Sequence, residues 1–166
     1  MLAMVAAQKG HLDKDGNFVS EPINIIFVDT EGKFSKSRFV AMGGDPDKLI
    51  KVSATTLEDA FFGIEQALTA IYAQDANAKV LIVFDSLGGT PSATEAEAEA
   101  DESIQLATAA KVIKRNMRVL VPKWISRHDI AMIIINTNYA NIGSVGRSNS
   151  GGEGAEFACS FIMQLS

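Results

Sequence analysis

The segment Val80-Leu-Ile-Val-Phe-Asp-Ser86 decides how this chain folds. Its apolar residues run without a polar break and are mostly β-branched or aromatic. A strand with one wet face would alternate. An unbroken run ending abruptly in a carboxylate suits a strand buried on both faces of a parallel sheet. A nearly continuous run of the same kind appears at Ile23-Asn-Ile-Ile-Phe-Val28, which ends in Asp29, and an unbroken one at Ile130-Ala-Met-Ile-Ile-Ile135, which ends in Asn136. Leu49 to Val52 reads as a shorter strand.

Between the strands the period changes. Leu57, Phe61, Ile64, Leu68 and Ile71 recur at helical spacing. They follow Thr55-Thr-Leu-Glu58, read as a capping box in which a hydroxyl and a carboxylate satisfy free amides. A second helix is expected from Ser103 to Val121, with Lys111, Lys114, Arg115 and Arg118 late in it, where cations complement the helix dipole. A short helix over residues 1–9 closes on Gly10. Asp15-Gly16-Asn17 marks a turn. Glu95 to Glu102 is acidic and of low complexity, read as a solvated loop. Asn141 to Gly154 is rich in Gly, Ser and Asn and reads as a mobile loop, and Phe157 to Leu165 as a last strand. Strands alternating with helices define an α/β domain with a mostly parallel sheet.

Composition sets the outer limits. At 166 residues the chain reads as a single domain, 1–166, able to bury roughly 70% of its unfolded surface. Fifteen basic against 20 acidic residues give a net charge of −5, which argues against nucleic-acid binding through overall charge but not through a local basic patch. One cysteine, Cys159, leaves no internal disulfide and no cysteine-based zinc site. The longest strand-like apolar run is far short of the ~20 residues a spanning helix needs. The first residues lack the basic start of a signal peptide. No membrane partner and a cytoplasmic location are therefore expected. Cys159, Met1, Met4, Met117, Met132 and Met163 read as core residues, Trp124 as a packing residue, His128 as part of a turn, and His11 as exposed.

The polar strand ends carry the chemistry. Asp29-Thr-Glu31, Asp85-Ser86 and Asn136-Thr137 all fall at the carboxyl ends of strands, where open α/β sheets bind ligands. One carboxylate there can hold a magnesium ion, usually through water. Another can activate a water for attack on a terminal phosphate.

These residues also carry a resemblance. Val80-Leu-Ile-Val-Phe-Asp-Ser86 resembles the Walker B strand of the RecA-type recombinases. Phe27-Val-Asp-Thr-Glu-Gly-Lys-Phe34, with Arg38 four residues later, resembles their catalytic-glutamate segment. Ile134-Ile-Asn-Thr137, the loop after it and Ser150-Gly-Gly-Glu-Gly154 resemble their sensor strand, second DNA-binding loop and Gly-Gly segment. From Asp85 to Leu165 the pattern is most similar to the UvsX-type recombinases of T-even-like phages. The resemblance implies a three-layer RecA-like core acting in homologous recombination and DNA repair, with ATP and Mg²⁺ as cofactors. It implies single-stranded DNA and further copies of the same chain as partners, in a bacterial or phage-infected bacterial cell. Glu31 would be the general base, Asp85 the metal residue and Ser86 its support. Arg38 would stack on adenine. Asn136 and Thr137 would sense the γ-phosphate. Tyr139 and Arg147 would contact DNA, and Gly151 and Gly152 would approach phosphates through bare amides.

Three departures qualify this. Thr137 stands where the family carries a longer Gln or His. The position of the first DNA loop, Thr90 to Glu102, is acidic and would repel phosphates. No Gly-x-x-x-x-Gly-Lys-[Ser/Thr] loop occurs, so the phosphate cradle is missing from these residues. The expectation is a core incomplete at both ends and inactive as it stands. The alternative is a catalytically silent RecA-fold binding or assembly module. A hexameric helicase or clock-type ATPase is disfavoured by the Asp-Thr-Glu-Gly and Gly-Gly pair.

Overall fold

The computed structural model describes residues 1–97, 102–136, 138–140, 147–149 and 155–164. In chain order the elements are α1 (Leu2–Lys9), β1 (His11–Leu12), β2 (Phe18–Ser20), β3 (Asn24–Asp29), α2 (Lys36–Ala41), β4 (Leu49–Ser53), α3 (Leu57–Gln74) and β5 (Val80–Asp85). They continue with α4 (Ala93–Glu97), α5 (Glu102–Leu120), β6 (Ile130–Ile134), β7 (Asn138–Ala140) and β8 (Arg147–Asn149). β4, β3, β5 and β6 form one parallel sheet in that order. β1–β2 and β7–β8 are small antiparallel pairs.

Period-two alternation divides each central strand between two cores. Ile25, Phe27, Leu81 and Val83 face Met4 and Val5 of α1 and Phe39 of α2. Ile26, Val28, Val80, Ile82 and Phe84 face the apolar stripes of α3 and α5. The result is three layers, helix on sheet on helix, and it is compatible with a RecA-like core. Right-handed crossovers explain the split: β3 to β4 moves one way across the sheet and β4 to β5 to β6 the other, so their helices lie on opposite faces. Gly63 of α3 lets that helix lie directly on β4, since a Cβ there would stand 2.4 Å from a Val52 methyl. Gly10 ends α1 with φ +66°, and a Cβ there would meet the Ser20 carbonyl at 2.3 Å.

Four expectations change. β6 is an edge strand, not one buried on both faces. Met132 and Ile134 pack on the α3–α5 side, while Ile133 is 41% exposed on the other. The helix cap slips by one residue: Thr56, not Thr55, accepts the Asp59 amide at 3.2 Å. Residues 156–158 form a 3-10 turn rather than a strand, and 159–164 have no regular secondary structure, so Cys159 and Met163 are exposed rather than in the core. Met1 is likewise partly exposed. Finally, Glu95 is not simply solvated. Its carboxylate accepts the Ser92 amide at 2.8 Å and the Ala109 amide at 3.1 Å, locking α4 to α5.

Other expectations hold. Met4 and Met117 are buried, and Met132 and Trp124 pack against the core. His128 lies in the turn before β6, its ring 4.0 Å from that of Tyr72. No helix among the described residues is long and apolar enough to cross a membrane.

Candidate functional site

The sheet register builds the site. β3 and β5 run in step, so Asp29 stands beside Asp85 at the carboxyl end of the sheet. Thr30 ties the two strand tips together. Its amide donates to the Asp85 carbonyl at 3.1 Å. Its hydroxyl accepts the Ser86 amide at 3.1 Å and donates to the Ser86 carbonyl at 3.0 Å. The Asp85–Ser86 peptide is cis. The turn that follows Thr30 brings Glu31 back over β5, where Ser86 Oγ donates to Glu31 Oε1 at 2.9 Å. The other Glu31 oxygen pairs with Lys33 Nζ at 2.5 Å.

Three neighbouring carboxylates are thereby placed in different electrostatic states. The Lys33 ammonium, followed by the Ser86 hydroxyl, holds Glu31 below the ordinary carboxylate range. Glu31 in return raises Lys33. Burial pushes Asp29 up, but the hydrogen bond and charge of Lys51, with the Phe34 and Lys33 amides, outweigh it and leave Asp29 lowered. Asp85 goes the other way: burial raises it, and the charges of Glu31 and Asp29 add to the effect.

Asp29, Glu31, Lys33 and Asp85 line a cleft of about 60 Å³ with Met1, Met4, Phe27, Phe34 and Val83. That is space for about two waters, the scale of an attacking water or a small cation. Asp85, short of counter-charge and next to the Ser86 hydroxyl, offers the oxygen chemistry that a hard cation takes. No cluster of three or more His, Cys, Asp or Glu poised to hold a metal forms among the described residues. A cation here would draw its remaining ligands from water or a bound anion. Glu31, ionised at neutral pH, has the chemistry to accept a proton from water.

The remaining expected site residues are placed as follows. Asn136 is half-buried just past β6, at the same end of the sheet, beside the Leu87–Ile135 and Ile135–Phe84 backbone bonds that extend the ladder past Asp85. Arg38 is exposed on α2 and does not line the cleft. Tyr139 and Arg147 fall in the β7–β8 ladder, where Tyr139 pairs with Ser148 and Arg147 with Ala140, so part of the expected loop is paired backbone. Thr137, Gly151 and Gly152 lie outside the described residues.

Reasoning from sequence placed Asp29 and Thr30 among the polar strand ends but gave neither a role, and it missed Lys33 and Lys51 as parts of this site. A signal existed for Lys51: it is the lone charge in Leu49-Ile-Lys-Val-Ser53, a strand that neighbours buried β3.

Fold and site together define an α/β protein with an acidic centre at the ends of two adjacent parallel strands. Over 115 residues, 69% of this chain, the sequence is 30% identical to the "Recombination and repair protein" of Enterobacteria phage T4. The match spans 28% of that phage protein's length. No family model matches the chain.

Proposed function

We propose that this chain is core sequence of an ATP-dependent DNA strand-exchange recombinase that acts in recombination and repair. The observation that carries the reading is Glu31, bonded to Ser86 and beside Asp85 at the tips of adjacent parallel strands. The similarity to the phage T4 protein supports the process, recombination and repair.

In this reading Asp85 would hold Mg²⁺, with Ser86 beside it, and Glu31 would orient the attacking water and accept its proton. Mg²⁺ bound with ATP supplies positive charge against the phosphate oxygens. The Lys33 ion pair restrains Glu31 little, because Lys33 is 81% exposed and exposed pairs contribute little. Arg38 stacks on adenine, Asn136 and Thr137 sense the γ-phosphate, and Tyr139, Arg147, Gly151 and Gly152 belong to the DNA-contacting segment. The whole protein binds single-stranded DNA and assembles with its own copies. No Gly-x-x-x-x-Gly-Lys-[Ser/Thr] loop lies in these residues, so the 166-residue chain alone should show no measurable turnover. Robust DNA-stimulated ATP hydrolysis by it would contradict that.

A chimera tests the reading. The part of the phage T4 protein that corresponds to residues 1–166 is replaced by this chain, and marker exchange is scored in infected cells. A folded chimera should support recombination, and Glu31→Gln in it should lower exchange to the level of a deletion. A folded chimera without exchange would sink the family reading. A second reading, the catalytically silent binding or assembly module, draws on one observation: both Glu31 oxygens are already engaged, by Ser86 and Lys33. It predicts full exchange with Glu31→Gln.

A further inference from the structure

Lys51 lies on β4, outside the residues that the proposed chemistry uses. Its Nζ stands 2.9 Å from Asp29 Oδ2, and the Asp29 side chain is only 4% exposed. The same ammonium lies 5.7 Å from the centre of the Phe34 ring. Asp29 Oδ1 accepts the Lys33 amide at 3.2 Å, and Oδ2 accepts the Phe34 amide at 3.4 Å. Phe34 in turn packs on Phe27 and Phe39, with ring centres 5.2 and 5.4 Å away. The turn from Thr30 to Phe34 is thus clamped at both ends. Thr30 is tied to Ser86 at one end, and Lys33 and Phe34 are tied to Asp29 at the other. Glu31 sits between the clamps.

A buried carboxylate without a counter-charge takes up a proton or turns to solvent. Either response would weaken the bonds to the two amides. The parallel register puts Lys51 opposite Phe27, two residues before Asp29 and on the same face, within reach of the Asp29 carboxylate. We propose that Lys51 is a positioning residue. It holds the Asp29 carboxylate against the Lys33 and Phe34 amides and so fixes the turn that presents Glu31 to Ser86. The role assigned to the turn rests on Glu31 being the functional carboxylate of the site. The geometry itself does not.

The test uses this chain in solution, with Lys51→Met and Lys51→Arg followed by NMR. In Lys51→Met, exchange of the Lys33 and Phe34 amides should speed by about tenfold relative to Phe27 and Val28, as expected for local opening. The Glu31 side-chain carboxyl resonance should shift as its bond to Ser86 is lost. Lys51→Arg should restore both readouts to within about twofold of the parent, because a guanidinium also pairs with a carboxylate. Equal acceleration along β3 would mean general destabilisation and would overturn the proposal. So would an unmoved Glu31 resonance, or no rescue by arginine. If Lys51→Met does not fold, Asp29→Asn/Lys51→Met leaves no unpaired buried charge and should show the same two local changes. No readout involves nucleotide, so failure here removes Lys51 and leaves the chimera result for Glu31 standing.

Discussion

Asp85 is the residue at which site and stability conflict. Burial and two neighbouring carboxylates raise its folded pKa above the ordinary 3.8. The folded chain therefore binds this proton more tightly than the unfolded chain does. The stability that results is fully present below pH 3.8 and is lost as pH rises through the folded value. At neutral pH the ionised group weighs against folding. Asp85→Asn should raise the melting temperature at pH 7, because it removes the ionised group. The gain should vanish at pH 3, where both forms are neutral. Scanning calorimetry at the two pH values checks this, and an unchanged or lower value at pH 7 would refute it. Asp29 behaves oppositely: its contribution is present above 3.8 and is lost as pH falls through its lowered folded value. Asp29, Glu31 and Asp85 were legible at this scale because each ends, or closely follows, an apolar run. Lys51 was not, because its relation to Asp29 depends on the β3–β4 register, which a crossover through α2 sets.

At the scale of elements, the start of α3 shows how local patterns mislead by one residue. Thr55-Thr-Leu-Glu-Asp59 contains two overlapping cap patterns, Thr55 with Glu58 and Thr56 with Asp59. The chain arriving from β4 selects the second. Thr56 Oγ1 accepts the Asp59 amide and donates to Asp59 Oδ2 at 2.8 Å, which frees Glu58 to accept the Ala93 amide at 2.8 Å. Thr56→Ala should therefore cost about 1 kcal/mol, and Thr55→Ala, at an exposed position, close to nothing. Urea denaturation of the two variants decides the register, and equal losses would refute it. Strand runs fared unevenly for a related reason. β3 and β5 are central and buried, so apolar content alone identifies them. Phe157 to Leu165 has similar apolar content but lacks strand pairing across 159–164. Apolar content reports a tendency to extend, whereas pairing depends on a neighbour that the local sequence does not contain.

At the scale of the whole molecule, charge decides how DNA would be held. A net charge of −5 argues against binding by the overall field of this chain, so attraction to phosphates is expected to be local. Two places among the described residues can be compared for it. One is α5, with exposed Lys111, Lys114, Arg115 and Arg118 on the helix layer that covers one face of the sheet. The other follows β6 at the carboxyl end of the sheet, where the β7–β8 ladder carries Arg147. The proposed function chooses the second, because that segment continues directly from Asn136, at the same sheet end as Glu31 and Asp85. On a single strand each neutralised phosphate contributes about 0.7 to the slope of log affinity against log salt. A binding segment with one cation therefore predicts a shallow slope. Arg147→Ala should reduce it by about 0.7 across oligonucleotide sequences, while Lys114→Ala and Arg118→Ala should leave it unchanged. Fluorescence anisotropy of a labelled single-stranded oligonucleotide between 50 and 200 mM salt measures each slope. A steep parental slope that falls with the α5 variants and not with Arg147→Ala would move the DNA to the helical face, away from the carboxylates, and would break the proposed link between the strand-tip site and the bound strand.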